Sequence, residues 1–99
     1  MEEIGFTYIM TNTYNTTLYV GATNNLPARV IEHRDRIDSK SFTTRYNLFK
    51  LVYYEIFDIK QDAFRREDQI KSWSRRKKEK LISSKNPDWK DLYDEIADY

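Results

Sequence analysis

Residues 5–23 read GFTYIMTNTYNTTLYVGAT, and this stretch decides the fold. Two runs, Gly5 to Thr11 and Thr17 to Thr23, are dense in the aromatic and β-branched residues that suit a pleated, half-buried surface. Between them, Asn12 to Asn15 carries turn chemistry, so the stretch reads as a β-hairpin. Next in the chain, Asn24 or Asn25 can cap a helix that holds Pro27 in its first turn, with Leu26, Val30, Ile31 and Ile37 as its apolar side. Ser39 to Asn47 is polar and reads as a loop or short turn, and KLVYYEIF from Lys50 to Phe57 reads as a third strand.

Beyond it, Ile59, Ala63, Phe64, Ile70 and Trp73 recur at helical spacing, which predicts a helix over 60–73 that lays this stripe on the sheet. Ser74 suits the cap of a further helix over 75–84 anchored by Leu81 and Ile82. In NPDWKDL, Asn86 reads as an N-cap and Pro87 as the first residue of a last helix, docked by Trp89, Leu92, Tyr93 and Ile96. The expected class is α+β, a small three-stranded antiparallel sheet packed with helices in the order β-β-α-β-α-α-α. A chain of 99 residues is expected to form one domain over 1–99.

Composition narrows the function classes. Two Gly and two Pro are too few for a turn-rich all-β design. The absence of cysteine excludes disulfides, thiol catalysis and cysteine-ligated metal, and fits a reducing cytoplasm. No stretch approaches the ~20 apolar residues that cross a bilayer, and the N-terminus lacks a basic and then apolar leader. The expectation is a soluble, cytoplasmic protein with no membrane partner.

Net charge is only +1, but it is unevenly spread. KSWSRRKKEK, residues 71–80, sets six cations against Glu79 alone, whereas residues 88–99 hold five acids against Lys90. Lys71, Arg75, Arg76, Lys77 and Lys78 are therefore a candidate grip on nucleic-acid phosphates, weighed against the commoner use of such a run as a solvated helix face. Trp73 and, in the polar loop, Phe42 and Tyr46 are able to stack on bases, although anchoring the chain is an equally good use for them.

Glu67 lies three residues after Phe64 and three before Ile70, which sets a carboxylate beside the apolar stripe. Such a group requires an ion pair, hydrogen bonds or a bound cation. A salt-bridged glutamate and a ligand for a hard metal ion that keeps its waters both satisfy that need. His33, the one histidine, follows Arg29 by four residues and shares its helix face; alone, the pair reads as a solvated surface pair. Tyr8 and Tyr19 alone read as strand tyrosines in the core.

Their order and spacing add a second reading. Tyr8 and Tyr19 are 11 residues apart, Arg29 follows after 10 and His33 after 4, with Glu67 and then Asn86 farther on. With Phe6-Thr7-Tyr8 as a first triplet and Tyr19-Val20-Gly21 as a second, the set resembles the GIY-YIG nuclease family. YIMTN, LYVGATNNLPARVIEHR, KLVYYEIF, REDQIK and NPDWKDL are similar to its small stand-alone bacterial branch, over about residues 8–92. The first triplet keeps its tyrosine but departs from the family at Gly and Ile.

The resemblance implies a divalent-metal-dependent endonuclease that cleaves DNA, with single-stranded or branched DNA favoured over long duplex sites and RNA left open. In that scheme Glu67 holds Mg²⁺ or Mn²⁺, and Arg29 gives donors to the developing charge on phosphorus. Tyr8 positions or deprotonates the attacking water, while Tyr19 and His33 complete the proton network; His33 is able to exchange roles with Tyr8. Asn86 supports Glu67 or simply caps, with capping favoured. Repair, or the processing of incoming DNA, is the setting that this activity suggests. Two other classes remain in view: a non-catalytic nucleic-acid-binding module of the same fold, and a protein-interaction domain that recruits through its acidic end around Asp91, Asp94 and Glu95.

Overall fold

The computed structural model describes residues 3–35 and 47–99. The predicted hairpin is present as β1 (Gly5–Thr11) and β2 (Leu18–Thr23), followed by α1 (Leu26–Asp35), β3 (Lys50–Phe57), α2 (Lys60–Lys71), α3 (Arg75–Lys85) and a single turn of helix, α4 (Tyr93–Ile96). The order is the expected β-β-α-β-α-α-α. Ile37, Phe42, Tyr46 and most of the Ser39–Asn47 loop lie outside the described residues.

β1 is the central strand, antiparallel to both neighbours in the order β2-β1-β3. Tyr8 lies opposite Gly21 on one side and Tyr54 on the other. The register slips between Ile9, which faces Tyr53, and Met10, which faces Leu51. This bulge lets both Val52 and Tyr53 join Ile9, Val20, Ile70 and Ile82 in one apolar cluster, under α2 and α3. Phe6, Tyr8, Met10 and Leu51 join Leu26, Val30, Leu48 and Ile96 in the other, under α1 and α4. Helices thus cover both faces of a sheet in which β1 is buried along its whole length.

Close packing at Gly5 sets α2. A Cβ on Gly5 would stand 2.8 Å from the Lys60 Cα and the Ala63 Cβ, so α2 lies directly on the start of β1. Thr7 Oγ1 donates to the Ala63 carbonyl at 2.7 Å in the same contact. Asn25 Oδ1 accepts from the Ala28 amide at 3.2 Å and opens α1, and Ser74 Oγ accepts from the Lys77 amide at 3.2 Å and opens α3.

Three local expectations fail. Ile31 and Phe64, read as core, are 43% and 41% exposed. Phe64 and Ala63 are adjacent and so point about 100° apart around the helix, and the Gly5 contact assigns the inward direction to Ala63. The third concerns NPDWKDL, which opens no helix at Pro87. Asn86 instead ends α3, its backbone amide donating to the Ile82 carbonyl, and Pro87 stands where a proline commonly follows a helix. The chain turns there with Trp89 at φ 53°, and helix resumes only at Tyr93.

Candidate active site

Gly21 decides where the first tyrosine goes. A Cβ at this position would lie 2.6 Å from the Tyr8 hydroxyl, so the Tyr8 ring crosses β2 over a residue without a side chain. The ring is buried at 1% exposure, and its hydroxyl lies 3.1 Å from His33 Nε2. His33 is 5% exposed, so α1 turns it inward and the solvated Arg–His pair read from spacing alone does not form. Tyr19 packs edge-on against His33 with ring centroids 5.5 Å apart, and lies 6.2 Å from the Tyr8 ring.

Arg29, one turn before His33, hydrogen-bonds the Tyr8 hydroxyl and pairs with Glu32 at 2.9 Å. The bond to Tyr8 comes first among the causes that hold its guanidinium above the ordinary range. Burial pushes the Tyr8 phenol up, Tyr19 adds to the rise, and Arg29 opposes it. The Glu67 carboxylate raises Tyr8 further, so its charge reaches the same cluster from α2. Burial and then the Arg29 charge depress His33 to about 4. At neutral pH the centre is therefore a neutral phenol and a neutral imidazole beside a fixed cation.

Glu67 is well covered, with 16% of its side chain exposed, and its Oε2 lies 2.9 Å from Lys71 Nζ. The hydrogen bond to Glu67 is the main cause of the raised Lys71 pKa. Lys71 is 52% exposed and flexible, so this partner can swing aside. Among the described residues no group of three or more His, Cys, Asp or Glu side chains is placed to share a metal ion. A lone carboxylate suits a hard divalent ion that keeps most of its waters, whereas a zinc site needs several nitrogen or sulfur ligands.

The basic run is divided among several tasks. Arg75 donates to the Asn15 and Thr16 carbonyls, both at 2.7 Å, and latches α3 to the hairpin turn. Lys77 lies 4.1 Å and the Arg66 guanidinium 5.1 Å from the centre of the Trp73 ring, which also packs against the core under α2 and α3. Lys71 is engaged by Glu67. Arg76 and Lys78 make no ion pair among the described residues.

Asn86 is buried, and its amide is spent on the backbone. Nδ2 donates to the Val52 carbonyl at 3.0 Å and the Lys90 carbonyl at 2.9 Å, while Oδ1 accepts from the Lys90 amide at 3.1 Å. It fastens the turn after α3 to β3, which is a structural use different from the N-cap expected.

Sequence reasoning missed the surroundings of Arg29. A groove of about 420 Å³ opens beside it, lined by Ala22, Thr23 and Asn24 from the end of β2, Glu32 from α1, and Lys60 and Phe64 from α2. Placing Phe64 in the core hid this wall; the adjacency of two apolar residues, Ala63 and Phe64, was the available signal that one of them faces outward.

Comparison with known proteins supplies the wider context. Residues 4–80 match the family model of the GIY-YIG catalytic domain. A UPF0213 protein of Staphylococcus saprophyticus is 42% identical over 67 residues, which cover 68% of this chain and 80% of that one. A UPF0213 protein of Natronomonas pharaonis is 45% identical over 67 residues, covering 68% and 78%. The solution NMR structure of a UPF0213 protein from Bacillus halodurans superposes with a TM-score of 0.57 at 29% identity, over 90% of this chain and 93% of that one.

Proposed function

The chain belongs to the GIY-YIG catalytic-domain family, a nuclease family, and from that premise we propose that it is a divalent-metal-dependent endonuclease hydrolysing DNA phosphodiesters, with single-stranded or branched DNA as substrate. The observation that carries the reading is the convergence of Tyr8, Arg29 and His33 at the β2 side of the sheet, within reach of the Glu67 charge on the next helix. These four groups come from β1, α1 and α2.

Arg29 directs its fork of donors at the non-bridging oxygens, where charge grows as the water oxygen bonds to phosphorus and the P–O3′ bond breaks. Tyr19, half-buried, packs edge-on against His33 and completes the proton network. Tyr8 and His33, 3.1 Å apart, position the attacking water and take up its proton, with Arg29 steadying negative charge on the Tyr8 oxygen. Glu67 is the group that would hold Mg²⁺ or Mn²⁺; the chemistry such an ion supplies is neutralisation of charge on the phosphate and the leaving oxygen.

End-labelled single-stranded, duplex and branched DNA, with single-stranded RNA alongside, tests this in Mg²⁺, Mn²⁺ and EDTA. Metal-dependent cutting by the wild type that is lost in Glu67→Ala is the expected result. Binding without cutting in every metal would favour a module that holds nucleic acid and does no chemistry, with the Lys71–Glu67 pair as a permanent salt bridge.

A further inference from the structure

Phe64 is an aromatic side chain on the wall of the groove beside Arg29, 41% exposed. On α2 it falls between Lys60 and Glu67, so Lys60, Phe64, Glu67 and Lys71 form one stripe along the helix. The first two line the groove and the last two lie at the candidate active site. The opposite wall belongs to α1, where Arg29 serves both places. Groove and candidate active site therefore lie side by side and share an arginine.

The lining sorts what can enter. Its floor is made of Ala22 and Thr23, small enough for a flat group to settle on. The Glu32 carboxylate on the α1 wall repels a phosphate but accepts hydrogen bonds from amino groups on a base edge. The volume, about 420 Å³, is in the range of small-molecule pockets and accommodates a nucleoside. An aromatic ring across from a guanidinium is the pair of surfaces on which unpaired bases stack.

We infer that this groove is a nucleobase site, in which an unpaired base next to the scissile phosphate stacks on Phe64 while Arg29 holds that phosphate. The inference rests on the nuclease reading for the word scissile, but the stacking itself needs only nucleic-acid binding. A base held in a Watson–Crick stack is unable to enter, so the site selects single-stranded DNA or the unpaired part of a branched one.

The test is equilibrium binding, in EDTA so that nothing is cut, of a labelled single-stranded oligonucleotide, the same oligonucleotide with abasic residues, and its duplex. Phe64→Leu keeps an apolar side chain at an exposed position, and Phe64→Trp keeps the aromatic face. Phe64→Leu is expected to weaken binding of the intact single strand about tenfold, within what one stacked base is worth. It should leave the abasic strand and the duplex unchanged, and Phe64→Trp should restore the wild-type value. Equal affinity of wild type and Phe64→Leu for the intact strand, or an equal loss on the abasic strand, overturns the base site, as does a wild type that binds no single strand. A wild type that cuts DNA but fails this binding cycle leaves the nuclease standing without the base site; one that passes it but cuts nothing leaves the base site without the nuclease.

Discussion

The Tyr8 hydroxyl and His33 Nε2 lie 3.1 Å apart, joined across 25 positions of sequence by the central strand and the helix α1 packed on one face of its sheet. Neither group is ionised at neutral pH, since burial drives the phenol up and the imidazole down, so the contact is a neutral hydrogen bond with Arg29 beside it. Moving the phenol proton to the imidazole would leave a phenolate and an imidazolium, and Arg29 is the neighbouring cation that opposes the rise of the Tyr8 phenol.

Tyr8→Phe removes the hydroxyl and keeps the ring. Turnover is expected to fall by roughly 10²–10⁴, the usual worth of a positioned acid–base group. Folding should suffer only by about 1 kcal/mol, the net value of one hydrogen bond. Single-turnover cleavage read beside a thermal melt checks both; an unchanged rate would remove Tyr8 from the proton path.

Gly21→Ala tests the crossing of Tyr8 over β2. The new Cβ would stand 2.6 Å from the Tyr8 hydroxyl, and a buried ring has no empty space to retreat into. A loss of about 1–3 kcal/mol is expected, the range for overpacking, together with a loss of turnover as the hydroxyl leaves His33. Denaturant unfolding and the cleavage rate are the measurements, and a variant as stable as the wild type would mean that the ring does not lie over this strand.

The depressed His33 gives stability a definite pH dependence. Its folded value is about 4 against an ordinary 6.5, so the unfolded chain binds this proton first as pH falls. The contribution is complete above pH 6.5 and is lost as pH drops from 6.5 through about 4. The melting temperature should be level above this window and decline within it, and His33→Gln should show a shallower decline. In kcat/KM, no acid limb from His33 belongs near pH 6–7; a limb there that vanishes in His33→Gln would contradict a neutral resting imidazole.

The basic helix should separate into two classes. Arg75→Glu releases the Asn15 and Thr16 carbonyls and is expected to cost about 1 kcal/mol of stability. Arg76→Glu with Lys78→Glu should leave the melt nearly unchanged, weaken DNA binding and lower its log–log salt slope by roughly 1–2. Titrations at several salt concentrations decide this, and an unaltered slope would take these two cations out of the interface.

Local sequence carried the elements. Alternating aromatic and β-branched residues in β1 and β2, Asn25 and Ser74 at their helix starts, and a helical repeat through α2 each act over a few residues, and all three were legible. The ordered set Tyr8, Tyr19, Arg29, His33 and Glu67 was legible as a resemblance, and the match of residues 4–80 to the family model shows the family. The inward turn of His33 was not, because helical spacing says only that Arg29 and His33 share a face and leaves open where that face points.

What the tertiary structure alone decided are choices between two uses of the same residue. Whether Ala63 or Phe64 faces the sheet depends on Gly5, whose missing Cβ admits one of them at 2.8 Å. Asn86 could start a helix or end one, and the Val52 carbonyl, 34 positions away, takes its amide and settles the matter. Arg75 could meet phosphate or backbone, and two carbonyls of the hairpin turn claim it. Each outcome is set by a partner distant in the chain and close in space. Propensity and periodicity act through neighbours in sequence, so the sequence by itself determined the elements and their order, and packing determined which way each side chain was used.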